Sequence, residues 1–496
     1  MPAWIWYEKC ISLGMRSLFF LLALSFSTLL WAKPIDVRSQ EPHFVQSLET
    51  GTKALAKRLQ LIEKAQHTIN VEYFIFDTSD ASRIFIETLL QKKRQNPEIQ
   101  IRIIVDYFSL SKSLDSFYSR ALLDAGIDVR HYNDTFLLNL SSVTSRNHRK
   151  LLTIDGQEAI VGGRNMANEY FDMAAKFNFS DRDVWLKGDI VTQIDESFEH
   201  FWNYRRTKRP GLPAKPRNNG NTAQFEMAVR RYNRRVVEAK KFASLFDAKL
   251  DQELIELRQR VLEMGARELS DEPIYEVKNI RFISDGPDFK NKEHRISGIR
   301  YYELMAEAKK EISIEVPYFY MQGEEQRFFE ELKTTGLEIN LLINSKKASK
   351  EFAINYITLL QGLEFSRMGY NLFLNRGNFM NPENLPSKKV RPNAFWGVHA
   401  KTLIIDKKIT WIGSLNMDPR SVQRLNAEMG VVIEDEAFGQ RVNHHYQQRL
   451  EDTYIVKNGK IQNQSRYGDD PAQLSGLMER LASLKTIPLY IFENQI

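Results

Sequence analysis

One combination of residue types occurs twice in this chain, and its members are types that do chemistry on phosphate. Each copy contains a histidine, a lysine and an aspartate in the pattern HxKxxxxD, followed at the same interval by an asparagine. The two sets are His148, Lys150, Asp155 and Asn165, and His399, Lys401, Asp406 and Asn416. Because the chain has only nine histidines, two chance matches at identical offsets are not expected.

The repeated types supply what a phosphodiester reaction needs. An imidazole can be nucleophile, acid or base near neutral pH. A lysine adds permanent positive charge, and an asparagine adds neutral donors for the non-bridging oxygens. Two copies provide one imidazole to attack phosphorus and another to protonate the leaving oxygen. We therefore predict a catalytic role for His148, Lys150, Asn165, His399, Lys401 and Asn416.

The elements that position these residues are predicted to be short buried strands. Apolar runs at 151–154 and 402–405 follow the two His-Lys pairs. Since alternate side chains on a strand share a face, we expect the His and Lys of each copy to meet one ligand. A second apolar run ends in GGRN or in GSLN, which includes Ser414. Glycine lets the backbone approach a ligand, so these strand ends predict a phosphate-binding cradle.

These motifs resemble the phospholipase D superfamily, whose members carry HxKxxxxD with a trailing GxxN twice. Within it the chain is most similar to bacterial cardiolipin synthases. The likeness is carried by VGGRN-x3-EYF at 161–171, VHAKTLIID at 398–406 and IGSLNMDPRSVQRLNAEMGVVI at 412–433. It covers most of the chain from about residue 40 onward.

The resemblance also implies roles for four acids. Asp183 and Glu428 match family positions whose carboxylates accept a hydrogen bond from the catalytic imidazoles, with surface salt bridging as the alternative. Asp155 and Asp406 follow the apolar strand, where an aspartate is well placed to cap a turn. In the family this aspartate is a structural partner rather than a chemical one.

The duplication extends beyond the motifs and predicts an α/β fold. Residues 63–76 resemble residues 306–319, each reading as a helix end that runs into an apolar strand. Further strands and helices alternate in both halves, which indicates α/β layers. We expect two tandem α/β/α sandwich repeats, and the resemblance implies that they dock about a pseudo-twofold axis. The predicted domains are 40–204 and 276–496.

A basic linker and helical insertion, residues 205–275, is predicted between the two domains. Prolines, glycines and six cations mark 205–220 as an exposed linker, and 223–267 has a charge-rich helical pattern. More cations follow at Arg230, Arg231, Arg234, Arg235, Lys240 and Lys241. This cluster fits anionic lipid headgroups, and it fits a solvated helix face equally well.

Composition and the N-terminus bear on the compartment. A net charge of +6 is too mild to require a nucleic-acid partner. Residues 1–32 read as a signal peptide or an uncleaved anchor, and the single cysteine, Cys10, lies within them. We expect an exported protein, periplasmic or secreted and membrane-associated, with anchoring to the inner membrane as the alternative. Since lysine beside each histidine opposes a divalent cation, we predict no metal and no cofactor.

The function implied by the resemblance is phosphatidyl transfer through a phosphatidyl-histidine intermediate, most simply cardiolipin synthesis. His148 is the nucleophile by analogy with the family. Water as acceptor would make the chain a phospholipase D that yields phosphatidic acid, and the superfamily also contains nucleases. The expected partners are membrane phospholipids, phosphatidylglycerol and also phosphatidylethanolamine, at a membrane surface. Nucleic acid is not expected, and one chain should form the catalytic unit.

Overall fold

The computed structural model describes residues 33–107, 114–133, 146–288, 291–321, 323–349, 352–378, 385–422 and 425–463. The predicted signal segment and Cys10 lie outside these residues. Within the described ranges, no helix combines the length and the apolar character needed to cross a bilayer.

Strands account for the apolar runs identified in the sequence. Their bounds are β1 Ile35–Ser39, β2 His43–Leu48, β3 Thr68–Tyr73, β4 Gln100–Asp106, β5 Asp128–Tyr132, β6 Leu151–Ile154, β7 Glu158–Gly162, β8 Phe177–Ser180, β9 Asp183–Lys187, β10 Thr207–Lys208, β11 Tyr275–Val277, β12 Asn279–Ser284, β13 Glu311–Glu315, β14 Glu338–Asn344, β15 Asn371–Asn375, β16 Phe395–Val398, β17 Thr402–Ile405, β18 Ile409–Gly413, β19 Met429–Glu434, β20 Thr453–Lys457 and β21 Lys460–Ile461.

Helices pack on both faces of the sheets that these strands form. Their bounds are α1 Gly51–Lys64, α2 Asp80–Gln95, α3 Ser116–Asp124, α4 Ile190–Trp202, α5 Thr222–Phe242, α6 Gln252–Asp271, α7 Ser297–Ala306, α8 Glu324–Lys333, α9 Phe352–Arg367, α10 Pro419–Val422 and α11 Glu436–Leu450.

The two large sheets repeat one topology. In the first, the strand order β5-β4-β3-β6-β7-β9-β2 forms the centre, and in the second β15-β14-β13-β17-β18-β19-β12 does so. Matching strands pair in matching directions: β3 is parallel to β4 and antiparallel to β6, as β13 is to β14 and β17. We call the parts that carry these sheets the first and second halves. The predicted tandem α/β/α architecture is confirmed.

Each sheet takes an edge strand from a part of the chain outside the predicted domain. Strand β1 precedes residue 40, yet it pairs with β12 in the second sheet. Strand β11 follows the insertion and pairs with β2 in the first sheet. The chain therefore crosses between the halves at both sides of the first domain, which ties them together more closely than a single linker would.

Buried side chains form two outer cores and one shared core. The outer cores lie under α1 and α2 in the first half, and under α7 and α9 in the second. The shared core joins apolar residues of both sheets with those of α4 and α11. Because burial of apolar surface drives association, this shared core holds the halves together.

Backbone hydrogen bonds and ionic contacts also join the two halves. Strand β16 of the second half pairs in parallel with β8 of the first. The buried guanidinium of Arg182 donates to Glu315 Oε2 at 2.9 Å and to Thr402 Oγ1 at 2.8 Å, both in the second half. Arg149 donates to Ser284 Oγ at 3.1 Å. These buried, directional contacts fix one relative orientation of the halves.

The insertion between the halves consists largely of two helices. Helix α6 packs against α1, and α5 packs against α3. Most side chains of α5 are exposed, whereas Leu257 and Val261 of α6 are buried in the first outer core. The helical pattern predicted for 223–267 is thus present as two helices with a break between them.

Candidate active site

The two His-Lys pairs lie at the same edge of their respective sheets. Strand β6 runs antiparallel to β3 with Leu151 opposite Glu72, so the residues before β6 lie at the carboxyl end of β3. Strand β17 has the same relation to β13. The histidines and lysines were expected on the strands themselves, but the strands begin at Leu151 and Thr402. The pairs occupy the segment just before each strand, because there the backbone bonds to the other half.

His148 is held by a carboxylate of the second half. Its Nδ1 lies 3.0 Å from each oxygen of Glu428 and 3.1 Å from the carbonyl oxygen of Ser414. The backbone N–H of His148 donates to Ala427 O at 3.0 Å. All three partners lie across the junction, so the second half sets the position and the ring orientation of this histidine.

His399 is held in the same way by the first half, but the acid is Asp181. Its Nδ1 lies 2.6 Å from Asp181 Oδ2, and its backbone N–H donates to Ser180 O at 2.8 Å. The prediction that Asp183 orders an imidazole is wrong. Asp183 accepts from the buried Arg58 at 2.8 Å and lies 3.4 Å from Arg164, so it neutralises two arginines under the sheet.

The sequence does contain a signal that identifies Asp181. Gly162 pairs with Asp183 in the first sheet, and Gly413 pairs with Gly430 in the second. Since Gly162 and Gly413 are equivalent, DRDV aligns with EMGV, and the partner of Glu428 is Asp181 rather than Asp183. Alignment of the two repeats of this chain with each other would have found it.

The surroundings of the two acids differ in one respect. Ser414 Oγ donates to Glu428 Oε2, and Ser421 Oγ donates to Oε1 at 2.6 Å. The position of Ser414 is Gly163 in the first half, where a Cβ would stand 2.2 Å from Asp181 Oδ1. Glu428 is therefore ordered by two hydroxyls, while Asp181 lies directly against the backbone. Ser421 was not among the predicted site residues.

The lysines lie between the two motifs. Lys150 Nζ donates to the carbonyl oxygen of His148, and Lys401 Nζ to that of His399. Lys401 Nζ also lies 2.9 Å from His399 Nδ1. Each ammonium acts electrostatically on the histidine of the other half, which places both motifs in one site.

The two asparagines are buried beside the histidines. Asn165 Nδ2 donates to the hydroxyl of Tyr170 at 2.9 Å, and its Oδ1 accepts from Ile75 N at 3.2 Å. Asn416 is equally buried, but its Oδ1 has no hydrogen-bond partner among the described residues. A buried amide oxygen without a partner is unusual, and a substrate hydroxyl would satisfy it.

Asp155 and Asp406 do the same structural task in both halves. Asp155 accepts from the backbone N–H groups of Gln66, His67 and Thr68 at 2.7–2.8 Å. Asp406 accepts from those of the equivalent residues 309–311 at 2.8–3.0 Å. Both aspartates have a φ of 53°, at the turn after the motif strand. They anchor the start of β3 and β13, at the end of the sheet away from the histidines.

Burial and neighbouring cations favour neutral imidazoles in the site without substrate. Burial and Lys401 lower the pKa of His399 to about 3, against the opposing effect of Asp181. Burial, Lys150 and Lys401 lower the pKa of His148 well below its usual range. An anionic ligand between these cations would act in the opposite direction and raise both values.

The two acids differ in their pKa values as well. Burial raises the pKa of Glu428 to about 7, although Lys150 and the hydroxyls of Ser414 and Ser421 act against it. For Asp181 burial acts in the same sense, but His399 and Lys401 outweigh it and hold the pKa below its usual range. The two histidines are therefore not electrostatically equivalent, although their geometry is.

Aromatic rings border the histidines, and a cavity that neither histidine lines lies between the halves. Phe74 contacts the ring of His148 at a centroid distance of 5.1 Å, and Tyr170 and Phe179 contact that of His399 at 5.0 and 4.9 Å. A cavity of about 650 Å³ opens between the halves at Phe179 and Val398. Its remaining lining includes charged residues such as Lys53, Glu272 and Arg449.

In the ranges that the structure describes, no three His, Cys, Asp or Glu side chains are grouped to hold a metal ion. The donor set of the site consists of two imidazoles with two ammonium groups beside them, which suits an anion rather than a divalent cation.

Comparison with known proteins identifies the family of the chain. The model of a family described as cardiolipin synthase, PLD-like domain, matches residues 59–202 and 301–452, one region in each half. Together these regions cover more than half of the chain. The chain therefore belongs to this family of the phospholipase D superfamily, and it is an enzyme of that superfamily.

Individual relatives have low sequence identity to this chain, but they match it over most of its length. Cardiolipin synthase C of Escherichia coli (strain K12) is 27% identical over 428 residues, 80% of this chain and 83% of that protein. An uncharacterized protein of Helicobacter pylori (strain ATCC 700392 / 26695) is 26% identical over 410 residues, 80% of this chain and 77% of its own length. The crystal structure of phosphatidylserine synthase from Haemophilus influenzae Rd KW20 shares the fold, with a TM-score of 0.59 at 14% identity over 92% of this chain and 97% of that chain.

Proposed function

We propose that the enzyme transfers a phosphatidyl group between phospholipid alcohols through a phosphatidyl-histidine intermediate, and that its product is cardiolipin. The observation that carries the proposal is the crossed pairing of His148 with Glu428 and of His399 with Asp181. Since each carboxylate orders the imidazole of the other half, both histidines face one phosphate.

In the first half-reaction, Nε2 of His148 attacks the phosphorus of the donor lipid. The Nδ1 proton of His148 faces Glu428, so the lone pair of Nε2 is available for the attack. The bond from phosphorus to the departing alcohol breaks, and protonated Nε2 of His399 gives its proton to the leaving oxygen. The phosphatidyl group is then bound to His148.

The second half-reaction reverses these roles. Nε2 of His399, now neutral, takes the proton of the acceptor hydroxyl while the acceptor oxygen bonds to phosphorus. The bond between phosphorus and His148 breaks, and both histidines return to their starting states. Each histidine is needed in both half-reactions, so loss of either one stops turnover.

The cations bind the charge of the phosphate. Lys150 and Lys401 lie beside the histidines and stabilise the extra negative charge that develops on phosphorus. The bound phosphate also reverses the electrostatic effect that keeps His399 neutral, so this imidazole can hold the proton that it must donate. Substrate binding and the activation of the general acid are thus coupled.

Phosphatidylglycerol is the proposed donor and acceptor. Its use in both roles gives cardiolipin and glycerol, and the description of the family and the name of the Escherichia coli relative favour this lipid. Because one chain contains both motifs, we expect a monomer to be catalytically complete. We place the reaction at a membrane surface.

The test is a mass-spectrometric product assay on the purified protein. It is incubated with phosphatidylglycerol vesicles, and separately with phosphatidylethanolamine added, with and without glycerol. His148→Ala and His399→Ala are the test variants, and His67→Ala, which removes an exposed histidine, is the matched control.

We expect the wild type and His67→Ala to form cardiolipin, and both active-site variants to form none. Excess glycerol should suppress cardiolipin, because it reverses the reaction. Phosphatidic acid as the sole product would contradict transfer and identify water as the acceptor. The absence of any lipid product would contradict the proposal altogether.

A further inference from the structure

Helix α5 has one face that the described residues do not cover. Its residues Phe225, Val229, Tyr232 and Val236 recur at helical spacing and lie partly buried, and Ala239 and Phe242 continue this row fully buried. These residues attach α5 to the first half, as in the ring contact of Tyr232 with Phe117 at 5.3 Å. The opposite face is exposed along the whole helix.

The exposed face is strongly basic. It carries Arg230, Arg231, Arg234, Lys240 and Lys241 against Glu226 and Glu238. The two glutamates reach Arg230 and Arg234 only at 4.0 and 3.8 Å, and at such exposure ion pairs of this kind have little strength. The positive charge therefore remains available to an anionic partner.

Apolar side chains are exposed in the same region. Among the described residues, the four most exposed large apolar side chains are Leu250 at 74%, Leu212 at 73%, Val237 at 66% and Met227 at 58%. All four lie in the linker, in α5 or in the turn after it. A helix face that is merely solvated would have no such concentration, whereas cations mixed with apolar side chains are typical of surfaces that meet a membrane interface.

Charged and apolar groups of α5 share one stripe. Met227, Arg230, Arg234, Val237 and Lys241 follow one another at intervals of three and four residues. At a helical period of about 3.6 residues, this spacing confines them to roughly a third of the helix circumference. One flat surface can contact all of them at the same time.

The helix lies at the edge of the first sheet that carries His148. Asp106, at the carboxyl end of β4, accepts from Asn147 N at 2.8 Å, and this asparagine directly precedes His148. Asp115, the N-cap of α3, forms an ion pair with Arg235 of α5. Helix α5 is therefore attached, through α3, to the same half of the molecule that carries His148.

We propose that the exposed face of α5 docks the enzyme on an anionic phospholipid bilayer. The arginines and lysines contact lipid phosphates, and Met227 and Val237 insert among the headgroups. This inference rests on the proposed function, since it supplies the surface from which the site would take its lipid. It assigns binding to α5 and chemistry to the histidines, so the two can be tested apart.

The test compares binding of the full-length protein to vesicles of phosphatidylcholine and to vesicles of equimolar phosphatidylcholine and phosphatidylglycerol, measured by co-sedimentation. Binding through an apolar segment contributes to the affinity for both kinds of vesicle. The ratio of the two affinities therefore measures the part of binding that depends on the anionic lipid. The test variant replaces Arg230, Arg231, Arg234 and Lys241 by glutamine. The control replaces Lys309, Lys333, Lys457 and Lys460, four exposed lysines of the second half, by glutamine.

We expect the wild type and the control to prefer the anionic vesicles by about tenfold or more, and the test variant to lose most of this preference. Added salt should weaken the preference of the wild type. Equal preference in the wild type and the test variant would overturn the proposal, as would an equal loss in the control. If the wild type binds duplex DNA but shows no preference for the anionic vesicles, the proposal is overturned, and the exposed face of α5 is a nucleic-acid-binding surface instead.

Turnover of a short-chain phosphatidylglycerol below its micellar concentration separates this inference from the proposed function. With this monomeric substrate, the test variant should keep the wild-type rate, because docking is not needed. If the wild type shows anionic preference but no turnover on any lipid, the proposed function fails while the docking surface stands. If the test variant loses turnover of the monomeric lipid as well, α5 acts on the site rather than on the membrane, and the docking proposal fails.

Discussion

Glu428 and His148 belong to different halves of the molecule, yet both carboxylate oxygens of Glu428 lie 3.0 Å from Nδ1 of His148. The reciprocal pair, Asp181 and His399, is 2.6 Å apart. Each half thus supplies the acid that orders the other half's imidazole. The duplicated motif forms one site through this exchange, and neither half holds a complete set of catalytic groups.

Replacement of either acid should reduce turnover with little effect on substrate binding. In Glu428→Gln and Asp181→Asn the carboxylate that stabilises a cationic imidazole is lost, while the shape is kept. We expect kcat to fall by about 10²–10⁴-fold and KM to change little. Steady-state kinetics on monomeric phosphatidylglycerol would measure the split, and a rise in KM at constant kcat would show that the acids bind substrate instead.

Asp183→Asn should lower stability and spare the chemistry. Its carboxylate is buried against Arg58 at 2.8 Å and Arg164 at 3.4 Å, so its loss leaves buried arginine charge without compensation. We expect the free energy of unfolding to fall by about 3–5 kcal/mol, as measured by urea denaturation. Turnover per folded molecule should stay near that of the wild type. A loss of kcat equal to that of Asp181→Asn would reinstate Asp183 as the partner of an imidazole.

The stability of Glu428→Gln relative to the wild type should depend on pH. Burial raises the pKa of Glu428 from 4.5 to about 7, so in this interval the folded state keeps a proton that the unfolded state releases. Ionisation of Glu428 therefore opposes folding as the pH rises through this interval. We expect Tm of the variant, measured against that of the wild type, to be higher at about pH 8 than at about pH 5.

Asp181→Asn serves as the opposite case. Although burial opposes it, His399 and Lys401 hold the pKa of Asp181 below its ordinary value, so its ionised form stabilises the fold above that value. This variant should lose stability near neutral pH, and its deficit should shrink as the pH falls toward about 3. If both variants follow the same pH dependence, the electrostatic difference between the two acids is refuted.

Asp155→Ala and Asp406→Ala should destabilise each half without changing the mechanism. Each aspartate accepts three backbone N–H groups at the start of a central strand, far from the histidines. Loss of these bonds should cost about 2–3 kcal/mol of unfolding free energy per site. Asp→Asn at each position keeps one acceptor oxygen and should cost less. A loss of kcat without a loss of stability would indicate a chemical role for the aspartates.

The sequence predicts the catalytic set and the layered fold because both are local or repeated properties. Strand periodicity located the strands around each motif, and the identical spacing of the two motifs revealed the duplication. The choice between Asp181 and Asp183 is different. These acids are two residues apart and share one face of an extended chain, so strand periodicity does not decide which meets His399; the pairing of β7 with β9, or alignment of the two repeats with each other, is needed.

Contacts between the two halves are the other feature that local sequence patterns do not predict. Strand β1 is short and half-exposed, and nothing in its five residues indicates that it joins the second sheet. Ser421 also gains its role only because its hydroxyl meets Glu428, seven residues further along the chain. Such contacts depend on how the halves meet, which periodicity within one half does not specify.

The central claim is that His148 carries the phosphatidyl group while His399 moves the proton, and the most direct test is to trap that intermediate. A phosphatidyl donor with nitrophenol as its leaving group needs no acid, so His399→Ala should release one equivalent of nitrophenolate and retain the phosphatidyl group on His148, seen by peptide mass spectrometry after an alkaline quench. His148→Ala should show neither the burst nor an adduct. An adduct on His399 in His148→Ala, or no adduct in either variant, would contradict the account.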